Sequence, residues 1–267
     1  MILYGIIIVI IVVLLGKQIK ENFEDKKSNA MIIVEPRKHK LLKSVISSFD
    51  ERMDSSWDLY VFHGMSHETY AKEAVKNITK RKVFLHALDT DNLTANNYNY
   101  LFKQLYFWDI IKAENILVFQ TDSVLCKNSL NNIYAFTKYD YIGCSMSKND
   151  YGENHTFNGW GVDRPFYGIG GLSFRKKSFI EKCLNKKKVN DYYPEDILLS
   201  ECVNEFGTKP ESAKILNTFC TQEFYEENSF GAHRIKLINN KKSFLEYCFE
   251  ANLIKDEGFK NFLKPKF

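Results

Sequence analysis

The sequence predicts an α/β domain with a mostly parallel sheet flanked by helices, preceded by an N-terminal transmembrane helix. Three observations lead to this prediction: strand-like and helix-like segments alternate along the chain, the composition is that of a globular protein, and the first residues form an uncharged apolar run. The chain has 267 residues, of which 45% are hydrophobic and 26% charged, so it can bury one large core.

The apolar run covers residues 1–16 and would span about 24 Å as a helix, close to the thickness of a hydrocarbon core. It lacks the basic n-region and small-residue cleavage site of a signal peptide. We therefore expect an uncleaved single-pass anchor; a signal peptide and a buried helix or strand are the alternatives. Residues 17–30 are polar and indicate a linker. Lysines follow the span and none precedes it, which favours a cytosolic domain, although interleaved acids leave the side of the membrane open.

The body of the chain, residues 31–240, alternates between two apolar patterns. Short continuous apolar runs, typical of buried strands, occur at 31–34, 59–62, 83–85 and 116–119. Between them, apolar residues recur at helical spacing and predict three helices, the third over 98–108. This βαβαβαβ order implies parallel strands joined by right-handed crossovers.

The second half of the body is less regular. We expect strands over 139–143 and 213–219, helices over 178–184 and 197–205, and a Gly-rich turn at 168–171 that runs into a strand. The polar residues 145–164 are suited to a lid or binding loop. The Gly-Ala-His sequence at 231–233 is expected in a late loop, and residues 241–267 are expected to form an amphipathic tail packed on the domain.

Charge and cysteine content exclude several classes of protein. The formal net charge of +4 is too small to indicate a phosphate-binding stripe, so nucleic acid is not an expected partner. The 6 cysteines form no C-x-x-C pair, which excludes zinc-ribbon and thioredoxin-type sites. We expect them to be mostly buried free thiols, and a disulfide framework is the alternative.

Polar residues follow each of the four predicted parallel strands. They are Glu35, Pro36 and Arg37 after the first strand, His63 after the second, Asp89 and Asp91 after the third, and Gln120, Thr121 and Asp122 after the fourth. Ligands of open α/β sheets bind outside the carboxyl ends of the strands, so we expect these residues to share one crevice. Asp122 stands between two apolar runs, where a carboxylate is costly to bury unless it binds something. Ordinary polar loops are the alternative.

Several common catalytic motifs are missing from the sequence. It contains no P-loop, no H-E-x-x-H zinc motif, no G-x-S-x-G elbow and no G-x-G-x-x-G after the first strand. What remains is an acid after the fourth strand, a Gly-Gly pair, an acidic pair that opens a helix, and a late histidine. These are Asp122, Gly170 and Gly171, Glu195 and Asp196, and His233.

In this arrangement the sequence resembles an uncharacterised domain family, found notably in large DNA viruses and grouped with GT-A-fold glycosyltransferases. The resemblance covers about residues 31–235 and rests on five short motifs in the family's order, each weak alone. They are Val34-Glu-Pro-Arg-Lys-His39, Phe119-Gln-Thr-Asp-Ser-Val124, Gly170-Gly-Leu-Ser173, Glu195-Asp196 and Gly231-Ala-His233. The resemblance implies a GT-A-like fold with a Rossmann-like sheet.

The resemblance also implies a metal site. GT-A enzymes hold a divalent cation with a D-x-D motif after the fourth strand, and the matching residues here are Gln120-Thr121-Asp122. The first acid is replaced by Gln120, so Asp122 alone matches and metal use is put in question. His233 is similar to the late histidine that completes such sites. Asp122, His233 and two phosphate oxygens would suffice for Mn²⁺ or Mg²⁺. The alternatives are a turn residue and an ordinary loop histidine.

The acidic pair is similar to the one that inverting GT-A enzymes place against the acceptor. Asp196, with Glu195 as second choice, would remove the acceptor's hydroxyl proton; helix capping is the alternative. Gly170, Gly171 and Trp160 are expected on the acceptor side, with a tight turn and a loop anchor as alternatives. Six residues are expected to contact the donor nucleotide, together with Asp122: Glu35, Pro36, Arg37, His63, Gln120 and Thr121. Arg37 could instead pair with an ordinary surface acid.

The function predicted from the sequence is a membrane-anchored glycosyltransferase. It would move a sugar from a nucleotide-diphosphate sugar to a hydroxyl acceptor with the help of a divalent cation, and inversion is favoured over retention. The acceptor, whether glycan, protein or small molecule, stays open. The rival predictions are a non-catalytic sugar- or nucleotide-binding module of the same fold, which the Gln120 replacement supports, and a nucleotidyltransferase.

Overall fold

A computed structural model of the chain describes residues 29–145, 165–187, 193–223, 225, 227–235, 238 and 240–255. The predicted membrane segment, Trp160 and most of the polar loop 145–164 lie outside these ranges, so those predictions stay untested. Within the described ranges, no helix is both long and apolar enough to cross a membrane.

The core of the molecule is a six-stranded mixed sheet with strand order β3-β2-β1-β4-β7-β6. Its strands, in chain order, are β1 (Asn29–Glu35), β2 (Trp57–His63), β3 (Val83–Ala87), β4 (Asn115–Phe119), β6 (Tyr141–Cys144) and β7 (Ile169–Lys176). The first four pair in parallel, as the sequence predicts. Strand β7 runs antiparallel to both β4 and β6, which makes the sheet mixed.

Helices cover the sheet. They are α1 (Leu42–Arg52), α2 (Glu68–Val75), α3 (Ala95–Phe102), α4 (Leu105–Ile110), α5 (Lys177–Lys186), α6 (Glu195–Phe206), α7 (Ala213–Phe219) and α8 (Lys241–Tyr247). Every residue of β1 and β2 is buried, as expected of strands covered on both faces. The first strand begins at Asn29, inside the segment predicted to be a linker, and Asn29 itself is buried.

Two predicted elements differ from the structure. The helix expected over 98–108 is broken into α3 and α4, and Trp108 Nε1 donates a hydrogen bond to Phe102 O at 2.9 Å across the break. The segment 213–219, expected to be a strand, is helix α7, whose N-cap is the Ser212 side chain. A short apolar run fits either element by its pattern alone, and here the cap selects the helix.

A second, three-stranded sheet packs beside the first, with order β5-β9-β8. Its strands are β5 (Ser123–Leu125), β8 (Cys220–Thr221) and β9 (Gly231–His233). The prediction that residues 231–233 lie in a loop is therefore wrong. Strand β9 pairs antiparallel with β5, and Ser123 lies opposite His233. This register places His233 beside the residue that precedes Ser123, which is Asp122.

The prediction of free thiols is wrong, because all six cysteines form disulfides and none is free. The pairs are Cys126–Cys248, Cys144–Cys220 and Cys183–Cys202, with sequence separations of 122, 76 and 19 residues. The first attaches the C-terminal tail to the end of β5, the second joins the two sheets, and the third joins α5 to α6. Partners this far apart meet only through the tertiary fold, so spacing along the chain does not reveal them.

The Cys126–Cys248 bridge closes the longest loop and predicts a stability effect. The double variant Cys126→Ser/Cys248→Ser should lose about 2–4 kcal/mol of unfolding free energy, because the unfolded chain regains the freedom that the bridge removed. Urea unfolding of oxidised protein measures the loss, and each single Ser variant should lose at least as much. Free thiols that react with iodoacetamide in denaturant without reductant would contradict the pairing.

Candidate active site

A cavity of about 270 Å³ opens beside the carboxyl end of β4. Its walls come from α3, β7, the first turn of α6 and the end of β9. The lining residues are Ala95, Tyr98, Asn99, Gln120, Ile169, Gly170, Gly171, Pro194, Glu195, Asp196, His233 and Arg234. The fold thus brings together six residues selected from the sequence (Gln120, Gly170, Gly171, Glu195, Asp196 and His233), and Asp122 lies directly behind His233.

Asp122 and His233 form a close pair beside this cavity, and His233 is the member of the pair that lines it. Asp122 Oδ1 lies 3.3 Å from His233 Nε2, and Asp122 Oδ2 accepts a hydrogen bond from Arg234 Nε at 3.2 Å. Burial alone would raise the pKa of Asp122, but the neighbouring His233 and the charge and hydrogen bond of Arg234 outweigh it and hold the pKa well below its usual value. Asp122 is therefore a permanent carboxylate.

His233 is fully buried, and its orientation is set by a residue that the sequence did not single out. Its Nδ1 lies 2.7 Å from Gln222 Oε1, and because a carbonyl oxygen only accepts, Nδ1 carries the proton. Its Nε2 then presents a lone pair toward Asp122 and receives no hydrogen bond of good geometry. Burial, the largest influence, lowers the pKa of His233 and favours the neutral ring.

These features fit a divalent cation. A neutral imidazole nitrogen and a carboxylate oxygen 3.3 Å apart are suitable neighbouring ligands, and the hydrogen bond to Gln222 is the outer-shell support that ligating histidines usually have. The part of the chain that the structure describes contains no cluster of three or more His, Cys, Asp or Glu side chains able to hold a metal. Asp122 and His233 would therefore need oxygen ligands from a bound substrate.

Asp196, in the first turn of α6, differs from Asp122 because its pKa is raised and not lowered. Its Oδ1 accepts a hydrogen bond from Ile197 N at 2.9 Å and its Oδ2 accepts one from Gly170 N at 3.3 Å. Burial and the neighbouring charge of Glu195 raise the pKa of Asp196 to about 7, and these two hydrogen bonds oppose them only in part. A carboxylate whose pKa lies near neutral pH can accept a proton there, which suits a general base.

Both carboxylate oxygens of Glu195 accept hydrogen bonds. Its Oε1 accepts a hydrogen bond from Arg175 Nη2 at 2.7 Å, and its Oε2 accepts one from Asp196 N at 2.9 Å. Arg175 has no solvent exposure and also donates to Ser173 Oγ. This pair attaches the start of α6 to β7, so Glu195 holds Asp196 in position. The sequence signal that was missed is the arginine that follows the apolar residues of β7 and lies within the buried part of that strand.

Two glycines of β7 leave room for these groups. A methyl group on Gly170 would lie 2.3 Å from Glu195 Oε1. One on Gly171 would lie 2.3 Å from His233 Nε2 and 2.9 Å from Gln120 Oε1. Both glycines belong to a strand and not to a tight turn, and they are needed because the functional side chains approach the backbone closely.

The residues predicted to contact the donor nucleotide lie at the same edge of the sheet, but only Gln120 lines the cavity. Arg37 donates to both oxygens of Glu35 at 2.7 and 2.8 Å, and Thr121 Oγ1 donates to Glu35 Oε2 at 3.4 Å. His63 Nδ1 contacts Gly64 O at 2.8 Å and Pro36 O contacts His67 Nδ1 at 2.7 Å. The ends of β1 and β4 are thus joined through Glu35.

The chain belongs to a family described as "Protein of unknown function (DUF5672)", whose sequence profile matches residues 82–233. The match includes the cavity residues from Ala95 to His233. The prediction of an uncharacterised domain family is confirmed in this general form. A comparison with curated proteins found no match.

Among solved structures, three with similar folds are described with a bound nucleotide or nucleotide sugar. A mannosyltransferase from Pyrobaculum calidifontis with GDP-Man and Mn²⁺ is 13% identical, with a TM-score of 0.40 over 58% of this chain and 46% of that chain. S. aureus TarS 1-349 with UDP-GlcNAc is 14% identical, with a TM-score of 0.45 over 68% and 54%. Core-mannan synthase A from Aspergillus fumigatus in its Mn/GDP form is 10% identical, with a TM-score of 0.46 over 66% and 69%. The chain spans about half the length of the first two.

The raised pKa of Asp196 predicts how stability depends on pH. The folded state keeps this proton up to about pH 7, whereas an unfolded aspartic acid releases it near pH 4, so the wild type loses stability between these values. Asp196→Asn cannot titrate and should unfold at a higher temperature than the wild type at pH 8, with a smaller difference at pH 5. Calorimetry at both pH values measures this. The matched control is Asp109→Asn at an exposed site, whose difference in unfolding temperature from the wild type should not grow between pH 5 and pH 8. The same growth in both variants would contradict the prediction.

Proposed function

We propose that this chain is a glycosyltransferase that moves a sugar from a nucleotide-diphosphate sugar to a hydroxyl acceptor, with Asp196 as the general base. One observation carries the proposal: a single cavity holds a carboxylate with a pKa of about 7 together with His233, whose Nε2 lies beside the permanently charged Asp122. Two acids whose environments push their pKa values apart are typical of paired catalytic roles.

The proposed reaction uses these residues as follows. Asp196 accepts the proton of the acceptor hydroxyl while the acceptor oxygen bonds to the anomeric carbon. The bond from that carbon to the donor phosphate oxygen breaks, and the nucleoside diphosphate leaves with the electron pair. Attack from the face opposite the leaving group inverts the anomeric configuration. Arg175 and Glu195 hold Asp196, so Glu195 acts as a positioning residue.

Asp122 and His233 are the residues that would hold a divalent cation, in agreement with the lone pair on His233 Nε2. When bound, such a cation neutralises negative charge on the leaving diphosphate. Gln222 keeps the histidine ring in the tautomer that this role needs. Glu35, Arg37 and Thr121, at the ends of β1 and β4, are proposed to border the nucleotide, and Trp160 stays a prediction for the acceptor side.

A non-catalytic sugar- or nucleotide-binding module is the second candidate. Gln120, a neutral amide, stands where the sequence resemblance implies an acid, and the described residues contain no group of three or more His, Cys, Asp or Glu side chains that could hold a metal. Such a module would bind nucleotide without transferring a sugar. The acidic pair distinguishes the two candidates, because a binding module has no need of a carboxylate with a raised pKa.

We also propose that residues 1–16 anchor the chain in a membrane and that the domain lies on its oxidising side. The three disulfides favour this side over the cytosolic side suggested by the lysines, because such bonds persist outside reducing compartments. The thiol-trapping measurement described for Cys126–Cys248 tests the proposal when it is made on protein taken directly from cells.

Asp196→Asn should abolish sugar transfer and leave donor binding intact, because it removes the base and keeps the shape of the side chain. A thermal-shift screen of the full chain with UDP, GDP, CMP and their sugars, with and without Mn²⁺, first identifies the donor. Transfer by the wild type should then rise with pH through about 7. Asp109→Asn is the control. Transfer by Asp196→Asn near the wild-type rate would remove Asp196 from the role of base.

Asp122→Asn and His233→Ala should each lose the part of the donor-induced thermal shift that depends on Mn²⁺. Each removes one of two protein ligands, and the remaining ligand with the substrate oxygens holds a cation poorly. The spectrum of Mn²⁺ by electron paramagnetic resonance, recorded with nucleotide present, checks binding independently of activity. Bound Mn²⁺ that is unchanged in both variants would exclude this pair as the metal site.

A further inference from the structure

We propose that Arg234 binds the phosphate groups of the donor directly, so that a nucleoside diphosphate binds this chain even without a divalent cation. The inference rests on the proposed function and assigns a residue that neither the motifs nor the family match singles out. Arg234 follows β9 immediately and lines the cavity beside His233.

The backbone at Arg234 is held in an uncommon conformation. Its φ is 50°, in the left-handed region that residues with long side chains rarely adopt. Two hydrogen bonds to Asp122 hold it there: Arg234 N donates to Asp122 O at 3.1 Å and Arg234 Nε donates to Asp122 Oδ2 at 3.2 Å. The conformation turns the side chain back toward Asp122 and the cavity.

The hydrogen-bond donors of the cavity wall can receive an anion near Arg234. Arg234 is the only lysine or arginine among the cavity-lining residues that the structure describes. The charge of Glu195 is balanced by Arg175 behind β7. Gln120, in the same wall, is neutral and its amide can donate a hydrogen bond. Arg234 and Gln120 line the same cavity, so their N–H groups offer hydrogen-bond donors to an anion, while the charge of Arg234 is shared with Asp122.

Phosphate is the anion that this surface fits. The bond from Nε to Asp122 fixes the plane of the guanidinium, and a planar guanidinium recognises phosphate oxygens with geometric specificity. The two oxygens of Asp122 contact different residues: Oδ1 lies near His233, and Oδ2 lies near Arg234. Arg234 and the proposed cation site thus lie on either side of one carboxylate, where both can contact a single diphosphate.

Calorimetric titration of the full-length chain with UDP and GDP, in Mn²⁺ and in EDTA, tests the inference. Uridine and guanosine serve as probes without phosphate. The wild type should bind one of the diphosphates in EDTA, more tightly than its nucleoside. Arg234→Asn should weaken binding in EDTA at least tenfold, while Arg234→Lys should retain part of it because the positive charge remains.

Asn is chosen because it tolerates the left-handed backbone, so Arg234→Asn should fold, and its melting temperature without ligand checks this. The control for loss of one positive charge is Lys138→Gln, whose exposed side chain pairs with Glu211 away from the cavity. Equal binding by Arg234→Asn and the wild type, or wild-type binding only with Mn²⁺, would overturn the inference and leave the glycosyltransferase proposal standing. No diphosphate binding under any condition would overturn both.

Discussion

The pairing of β5 with β9 determines where the candidate site of this molecule lies. Ser123 lies opposite His233 in that pairing, so two segments more than 100 residues apart along the chain meet at one point. Asp122, His233 and Arg234 then become neighbours, and the main-chain bond from Arg234 to Asp122 extends the same contact. The Cys144–Cys220 bridge joins β6 of the large sheet to β8, the strand beside β9, and so fixes the small sheet in place.

A second constraint is the buried pair of Arg175 and Glu195. Burying two charges is costly, and the cost is offset only when geometry and hydrogen bonding are good. Here Arg175 donates to Glu195, to Ser173 and to the backbone of Gly170, and Glu195 caps the amide of Asp196. The negative charge of Glu195 also raises the pKa of Asp196. The pair therefore sets both the position and the proton affinity of the same carboxylate.

The two aspartates of the site have pKa values shifted in opposite directions: the pKa of Asp122 is lowered and that of Asp196 is raised. Asp122 has cationic and imidazole partners that keep it ionised, whereas Asp196 is partly buried beside another acid, and its pKa is raised to about 7. In the proposed function, the first arrangement would hold a cation beside the donor phosphates, and the second would accept a proton. A structural ion-pair network alone would have no need of an acid that is kept near neutrality and lines a cavity.

The sequence by itself determined the alternation of strands and helices, the parallel order of the first four strands and the edge of the sheet at which polar residues collect. Those features follow from local apolar periodicity, which a single segment such as 116–119 already displays. It also selected Asp122, Asp196 and His233, because their motifs are local. The tertiary structure alone decided the disulfide pairs, the strand that carries His233, and the roles of Gln222, Arg175 and Arg234. Each of these depends on a contact between distant segments, and no pattern within one segment encodes the partner that folding brings to it.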